Sequence, residues 1–357
     1  MQKVVRIGGA SAMLLDSVAA VEQLLHVEEL DYLVFDFLGE GSMGHLSMMS
    51  KAIPGGGFAR EFVDVHVMPH LATLLARGFT DLFDGRAFPQ AIESMNAYLG
   101  AFPIAEALAR GADIVIVGRS VDSAVTLGPL IHEFGWNPDQ HDLLAAGTLV
   151  GHLIECGTQV TGGTYTDWRV VPDWANGGFP VAECHADGSA VITKPAGTGG
   201  LVSTGTVSEQ MLYEVADPQA YFVPDVTCDF SAVRVTQQGP DRVHVSGARG
   251  YPPTPTYKVC ATWHRGWRAT VMQPIVAIDA VPRAQRQAAA QFKRFERLLE
   301  QRGLGPCLGT HLDVIGSEGT LGARARNLRS REVVCRMVVE HPERARRNCS
   351  GARVSPR

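Results

Sequence analysis

The sequence lacks any apolar run long enough to cross a membrane, and its longest candidates, such as Ile114–Val117, have the length of a strand. Its first residues run directly into a strand-like segment, without the apolar core and cleavage site of a secretory leader. An excess of positive charge is also missing, because 32 Lys and Arg residues face 37 Asp and Glu residues, a formal net charge of −5. This balance excludes a dedicated nucleic-acid-binding protein, which needs clustered basic residues.

Paired cysteine and histidine motifs are missing as well. The 7 cysteines are scattered singly, without a C-x-x-C pair, and the 12 histidines show neither H-x-H nor H-E-x-x-H spacing. We therefore expect reduced thiols in a cytoplasmic protein, with no disulfide framework and no metal site. What is present, 45% apolar and 19% charged residues, is a globular composition.

Strand-like runs alternate with helical runs along the first part of the chain. The strand-like runs are Val4–Ile7, Tyr32–Leu38 and Asp113–Val117, and the helical runs are Val63–Arg77 and Pro103–Arg110. Such alternation is typical of a parallel sheet that is covered by helices on both faces. We predict an α/β domain of this kind over residues 1–160.

The character of the sequence changes after about residue 160, where Gly, Pro and Asp become frequent. Hairpin turns are predicted at residues 186–188 and 238–241, and helices at 207–215 and 283–301. These signals predict an α+β domain over 161–340 that contains hairpins. The Arg-rich remainder, 341–357, has no apolar pattern, which predicts a disordered basic tail.

Two predicted strand ends in the first part carry small or acidic residues. Ligands collect at the carboxyl ends of parallel strands, and Gly8, Gly9 and Ser11 form a short turn whose N–H groups could face an anion. The third glycine of a dinucleotide fingerprint is missing, and a plain tight turn is the alternative. At the next strand end, Asp36 and Glu40 are candidate acid–base or binding carboxylates, with a structural loop cap as the alternative for Asp36.

The end of a third predicted strand carries the most specific group of candidate site residues. Arg119, Ser120, Asp122 and Ser123 follow the predicted strand Asp113–Val117 and open a helix. The Arg119 guanidinium can bind a carboxylate or phosphate in a planar fork, and the helix N-terminus adds backbone donors. Asp122 could orient Arg119 or accept a proton. A capped helix with an Arg–Asp ion pair is the structural alternative.

The segment after the next predicted helix combines polar residues with a flexible turn. Glu155 and Cys156 stand at the helix end, and Gly162 and Gly163 allow a backbone to approach a ligand closely. Cys156 could act as a nucleophile with His152, one turn earlier, as its base. An inert buried thiol is the alternative.

A Lys followed by a glycine-rich loop leads into the helix predicted at 207–215. The loop holds Lys194, Gly197, Thr198, Gly199 and Gly200, a combination suited to phosphate binding. It lacks the Gly-Lys-Ser/Thr order of a nucleotide triphosphatase loop. A flexible connection between strand and helix is the alternative.

Several of these segments together resemble one family. They read LDYLVFDFLGE, ADIVIVGRSVDSAVTLGPLIHEFGW, LLAAGTLVGHLIECGTQVTGG, GFPVAECHADGSAVITKPAGTGGLVS and TVSEQMLYEVADPQAYFVPDV. They are similar to the acyclic terpene utilisation (AtuA-like) family, nearly continuously from Asp113 to Gly250. The resemblance implies a part in bacterial breakdown of citronellol and geraniol, whose intermediates are branched acyl-CoA thioesters.

The chain departs from the family pattern at two predicted strand ends and near its C-terminus. Ser17 stands where relatives carry Arg. The stretch DLFDGRAFPQ replaces an Asn-Ala-Gly-Gly-x-Asn-Pro loop, of which only Pro89 corresponds. These differences put the substrate, and activity itself, in question.

The residues and the resemblance together predict a lyase or hydratase that acts on a branched acyl-CoA or a related carboxylate. Glu40 and Asp122 are the acid–base candidates, Arg119 the anion-binding group, and residues 194–200 the site for the CoA phosphates. We expect no tightly bound cofactor, with a CoA thioester entering only as substrate. We also expect a homo-oligomer, with a second small pathway subunit as a further partner. A non-catalytic acyl-CoA-binding or assembly subunit is the alternative.

Overall fold

The computed structural model describes residues 3–10, 32–35, 85–87, 94–112, 115, 117, 119–327 and 329–343. Ser11, Asp36 and Glu40, the helix predicted at 63–77, and most of the predicted tail lie outside these residues. The chain divides into two compact units, Met1–Phe88 with Ser94–Ala261, and Pro89–Glu93 with Thr262–Arg357. The domain boundary expected near residue 160 stays a prediction.

Within the described residues, the first unit contains four α-helices and eleven strands, besides short 3-10 turns. The helices are α1 (Phe102–Ala109), α2 (Ala124–Phe134), α3 (His141–Ile154) and α4 (Thr204–Leu212). The strands are β1 (Val4–Ala10), β2 (Tyr32–Phe35), β3 (Ser94–Ala97), β4 (Val181–His185), β5 (Ala190–Thr193), β6 (Tyr221–Phe222), β7 (Thr227–Asp229), β8 (Arg234–Gly239), β9 (Arg242–Ser246), β10 (Arg249–Tyr251) and β11 (Val259–Thr262). The second unit contains β12 (Trp267–Val276), α5 (Ala280–Gln301), β13 (Gly309–Ile315) and β14 (Glu332–His341).

The main sheet of the first unit has the strand order β2-β1-β4-β5-β9-β8. Only β1 and β2 are parallel, while β4, β5, β9 and β8 follow in antiparallel pairs. The predicted parallel sheet is therefore wrong, and the described residues form an α+β fold. The reason is that β1 pairs on its other side with β4, which belongs to a tight hairpin from the later part of the chain. Hairpins need only a short turn, whereas parallel strands need long crossovers.

Several local predictions are confirmed and some are corrected. The hairpins β4–β5 and β8–β9 turn at the two predicted places, and α5 covers the helix predicted at 283–301. Helix α4 begins earlier than expected, because the Ser203 hydroxyl accepts the Thr206 N–H and completes a capping box. Of the predicted strand Asp113–Val117, only Val115 and Val117 are described, and neither lies in a strand.

The core of the first unit lies between one face of the main sheet and helices α2 and α3. Alternate strand residues, such as Val5 and Ile7 on β1 and Ile192 on β5, are buried against these helices, as the period of two residues requires. Helix α3 is buried on nearly every face, and Leu144 and Leu153 are fully enclosed. A helix that is apolar all round belongs at the centre of a fold.

Helix α1 is capped by a side chain from a distant part of the chain. Its own N-cap, Ala101, provides no side-chain acceptor, and the Asp225 carboxylate accepts the Ala101 N–H at 2.8 and 3.1 Å instead. Asp225 is 9% exposed and burial raises its pKa, although the backbone N–H groups of Ala101 and Phe102 oppose that shift. A methyl group on Gly100 would lie 2.2 Å from Asp225 Oδ1, so only glycine permits this approach.

In the second unit, the three-stranded antiparallel sheet has the order β12-β14-β13. Helix α5 covers one face, where the buried Ala280, Ala284 and Ala288 belong to one apolar cluster with Val333 and Cys335 of β14. Small side chains on this stripe let the helix axis approach the sheet closely. The opposite face carries ion pairs such as Arg268–Glu340.

We predict that Asp225→Ala lowers the free energy of unfolding by about 1–3 kcal/mol, since buried N–H groups at the start of α1 lose their acceptor. Urea denaturation followed by circular dichroism measures the change. Asp225→Asn is the matched control, because its side-chain oxygen still accepts, and it should cost clearly less. Equal losses in both variants would contradict a capping role.

Candidate functional site

A short parallel β-bridge positions Arg119. The Leu99 N–H donates to the Arg119 carbonyl at 3.1 Å, and the Val121 N–H donates to the Leu99 carbonyl at 3.0 Å, so that Ser120 pairs with Leu99. This bridge brings Arg119 against Tyr98, whose hydroxyl accepts from Nη2 at 3.1 Å and whose ring centroid is 4.5 Å from the guanidinium carbon. The guanidinium is therefore held in one orientation by two kinds of contact.

Asp122 follows Arg119 at the start of α2. Its Oδ1 atom lies 3.7 Å from Arg119 Nη1, an ion pair that is too long for a hydrogen bond. The Arg119 and Asp122 side chains are 22% and 31% exposed, yet the Oδ1 atom itself is buried without a hydrogen-bond partner. The ion pair expected as a structural alternative is thus present, but it leaves a buried carboxylate oxygen without a donor.

A buried acid and a buried imidazole meet at the end of α3. His152 Nδ1 lies 3.2 Å from Glu155 Oε1, and the two side chains are 1% and 8% exposed. Burial raises the pKa of Glu155, His152 acts in the opposite direction, and the negative charge of Asp122 raises it further. Glu155 therefore holds a proton to higher pH than an exposed carboxyl does, which is the property required of a general acid.

Among the described residues, four buried side-chain atoms have no partner at normal hydrogen-bond geometry: Asp122 Oδ1, Thr148 Oγ1, His152 Nε2 and Gln210 Oε1. Thr148 and Gln210 do interact weakly with thiols, because burial raises the pKa of Cys228 and of Cys156, and side-chain hydrogen bonds of Thr148 and Gln210, respectively, lower it. Thr148 and His152 are one helical turn apart on α3, and Gln210 of α4 donates from Nε2 to the His152 carbonyl at 2.9 Å. We call Asp122, Thr148, His152, Glu155 and Gln210 the polar cluster. An unpaired buried polar atom costs about 1–3 kcal/mol, and the concentration of such atoms in one region makes the polar cluster the candidate site.

Tyr221 and Cys156 border the polar cluster. The Tyr221 and His152 ring centroids are 5.8 Å apart, and burial raises the pKa of Tyr221, with Glu155 and Asp122 adding to the effect. Burial raises the pKa of Cys156 to about 11, and the charge of Glu155 contributes. A thiol with that pKa is protonated at neutral pH, which disfavours Cys156 as a nucleophile.

The Lys194 side chain is engaged by its own surroundings. Its Nζ atom donates to the Thr198 carbonyl at 2.8 Å and lies 3.2 Å from Asp241 Oδ2, with 6% of the side chain exposed. The Thr198 hydroxyl donates to the Pro195 carbonyl at 2.7 Å. These contacts fix Lys194 and Thr198 within the connection between β5 and α4.

Two glycine N–H groups of this loop also have protein acceptors. Gly199 and Gly200 donate to carbonyls of residues 172–176 at 2.8 and 2.9 Å, while Gly197 is exposed with φ +76°. The loop packs on the turn that contains Gly162 and Gly163, through a 2.8 Å bond from Leu201 N–H to the Thr161 carbonyl. Phosphate binding by the loop stays a prediction.

The structure thus brings some of the predicted residues together. Arg119, Asp122 and Glu155 meet at the polar cluster, and Ser123 packs directly against α3. Gly8 and Gly9 lie inside β1, paired with β2, so the predicted turn does not begin there. Ligand binding by these two glycines stays a prediction.

Tyr98, Thr148, Gln210 and Tyr221 were missed, and His152 was considered only as a base for Cys156. A His and a Glu three residues apart on an otherwise apolar helix were the signal for the His152–Glu155 pair. Tyr98, Gln210 and Tyr221 come from separate parts of the chain and carry no local signal, and Thr148 is a single polar residue within the apolar helix α3.

Across the described ranges, no group of three or more His, Cys, Asp or Glu side chains is placed to hold a metal ion. No described helix combines the length and apolarity that a membrane crossing requires.

We predict that Glu155 makes stability depend on pH in a defined direction. Its pKa is raised on folding, so its contribution is fully present below the ordinary value of 4.5 and is lost as the pH rises through the folded-state pKa. The melting temperature of the wild type minus that of Glu155→Gln should therefore fall from pH 4 towards neutral pH. Glu209→Gln, at an exposed glutamate on α4, is the reference variant. A difference for Glu155→Gln that falls no more steeply with pH than the one for Glu209→Gln would contradict the assignment.

Comparison with known proteins identifies the family. The chain matches the family model described as acyclic terpene utilisation family protein AtuA over residues 5–81 and 76–355. No curated protein and no solved structure gives a significant match. Because the matched residues span nearly the whole sequence, the chain belongs to the AtuA family of acyclic terpene utilisation proteins.

Proposed function

We propose that this protein is a lyase or hydratase that acts on a branched acyl-CoA or a related carboxylate. Membership of the AtuA family implies a role in acyclic terpene utilisation. The observation that supports the chemistry is the polar cluster, in which a buried acid with a raised pKa adjoins unpaired polar atoms and a cation. The proposal includes no tightly bound cofactor, and the CoA thioester enters only as substrate.

Hydration of an unsaturated acyl group adds a proton to the α-carbon and a hydroxyl to the β-carbon, with no net redox change. The reaction needs one group that transfers the proton and one donor at the carbonyl oxygen. Glu155 suits the first task, because burial raises its pKa. His152 suits the second when Nε2, which has no partner among the described residues, carries a proton.

Arg119 is the proposed anion-binding group. The Tyr98 contacts fix its plane, and Asp122 Oδ1 lies 3.7 Å from its Nη1 atom. A substrate carboxylate or thioester oxygen beside Arg119 would lie near the buried end of α3. Asp122 is then a second acid–base candidate, because its Oδ1 atom has no donor within the described part of the chain.

The test begins with thermal unfolding against branched acyl-CoAs, free CoA and the free acids. A ligand that binds only the native state raises the melting temperature by mass action. We expect a shift with branched acyl-CoA or with the free acid, and Arg119→Ala should abolish it. A normal shift in Arg119→Ala would remove Arg119 from the site.

Turnover separates the enzyme from the alternative, a non-catalytic acyl-CoA-binding or assembly subunit. With the ligand that binds, Glu155→Gln should keep the thermal shift but lose about 10²–10⁴-fold in turnover, measured as deuterium incorporation from D₂O by mass spectrometry. Glu209→Gln is the matched control and should keep full activity. Ligand binding by the wild type without any turnover would favour the binding subunit.

A further inference from the structure

Gln210 on α4 is fully buried, and its amide nitrogen donates to the His152 carbonyl on α3 at 2.9 Å. A carbonyl can only accept, so the amide nitrogen has to face it, and the amide oxygen is directed elsewhere. That oxygen is one of the buried atoms with no partner at normal hydrogen-bond geometry among the described residues. What distinguishes Gln210 from an apolar residue of the same size is therefore the bond to the His152 carbonyl.

The His152 carbonyl lies in the last turn of α3, where helical N–H donors run out. At the helix end, the Glu155 N–H donates to the Gly151 carbonyl at 3.0 Å. The next donor along the helix would be the Cys156 N–H, but the chain leaves the helix at Cys156, which begins a short 3-10 turn. The Gln210 amide donates to the carbonyl at this point. It caps the C-terminal end of α3 from a different helix.

Helix α4 is held in place by contacts of its own. Its capping box closes the first turn, and the Gln237 side chain accepts the Thr204 N–H at 3.1 Å. Val207, three residues before Gln210 and on the same face of the helix, is fully buried in the core of the first unit. Because these contacts fix α4, the Gln210 amide meets α3 from a fixed position.

The position of Glu155 depends on where α3 ends. Glu155 is the C-cap residue of the helix, and its carboxyl oxygen Oε1 reaches back to His152 Nδ1 at 3.2 Å. Side chains three residues apart meet on one face only while the backbone between them is helical. If the last turn of α3 loosened, the Glu155 carboxyl would leave a place where 8% of its side chain is exposed and would face water.

We propose that Gln210 is a positioning residue that fixes the end of α3 and so keeps the Glu155 carboxyl buried against His152. In the proposed function, on which this role rests, Glu155 transfers the proton. The Gln210 amide is uncharged, so its bond to the His152 carbonyl persists while Glu155 gains or loses its proton. Gln210 acts on the reaction through the backbone of α3.

The titration of Glu155 tests this role without any substrate. With glutamate carboxyls labelled with carbon-13, NMR follows Glu155 through the pH range, and its signal is the one that Glu155→Gln lacks. Burial raises the pKa of Glu155 from its ordinary value of 4.5. In Gln210→Met, which has a similar length but no donor, the midpoint should move down towards 4.5, because the carboxyl gains access to water. Gln210→Asn, whose amide is one methylene shorter, should move it in the same direction.

Thr206→Val on the same helix is the matched control. The Thr206 hydroxyl accepts the Ser203 N–H at 3.0 Å and donates to the Ser203 carbonyl at 3.1 Å, so this change weakens α4 without removing a bond to α3. The Glu155 midpoint should keep its wild-type value in Thr206→Val, and circular dichroism verifies that each variant is folded. A midpoint that both Gln210 variants leave unchanged, or that Thr206→Val lowers as much, would overturn the proposal.

Turnover separates the role of Gln210 from the proposed reaction. With an acyl-CoA that the wild type turns over, Gln210→Met should lower kcat by about 10²-fold with little change in KM, because the acid is misplaced while Arg119 is untouched. An unchanged kcat despite a lowered Glu155 midpoint would remove Gln210 from the reaction. A wild type that turns over none of the acyl-CoAs would contradict the proposed function, whereas the NMR titration would still decide whether Gln210 positions Glu155.

Discussion

The close contact between α3 and the start of α2 is the constraint on which the rest of the site depends. A methyl group on Gly151 would lie 2.7 Å from Ser123 Cα and 2.8 Å from the Ser123 carbonyl oxygen. These are backbone atoms, so no change of rotamer could relieve the clash. Because the two backbones touch, Asp122 at the start of α2 comes within electrostatic reach of Glu155 at the end of α3.

Burial of apolar side chains around α3 explains how a charged group and a buried acid coexist in an apolar core. Helix α3 is enclosed by the main sheet and its neighbouring helices, and the leucines that it buries supply about 1.5–3 kcal/mol each. That stabilisation offsets the unpaired atoms of the polar cluster, which cost about 1–3 kcal/mol apiece. Burial is the largest cause of the raised pKa of Glu155, and the negative charge of Asp122 adds to it.

Local features could be predicted from the sequence, whereas long-range features could not. Hairpins and the helix at 283–301 follow from turn residues and periodicity, and Arg119, Asp122 and Glu155 were recognisable as polar groups at element ends. The parallel sheet failed because β1 pairs with β4, which lies more than a hundred residues away and leaves no trace near β1. Gln210 and Tyr221 were missed for the same reason, since tertiary packing alone brings them to α3.

Lys194 and Arg119 look alike in sequence, but the hydrogen bonds around them differ. Lys194 and Arg119 both stand beside small residues near helix starts, and both are suited to an anion. Lys194 already has a carboxylate at 3.2 Å and a carbonyl at 2.8 Å, and Gly199 and Gly200 donate to protein carbonyls. A ligand there would have to displace existing partners. Next to Arg119, Asp122 Oδ1 has no hydrogen-bond partner within the described part of the chain, so a donor placed there would add a hydrogen bond to a buried atom that lacks one.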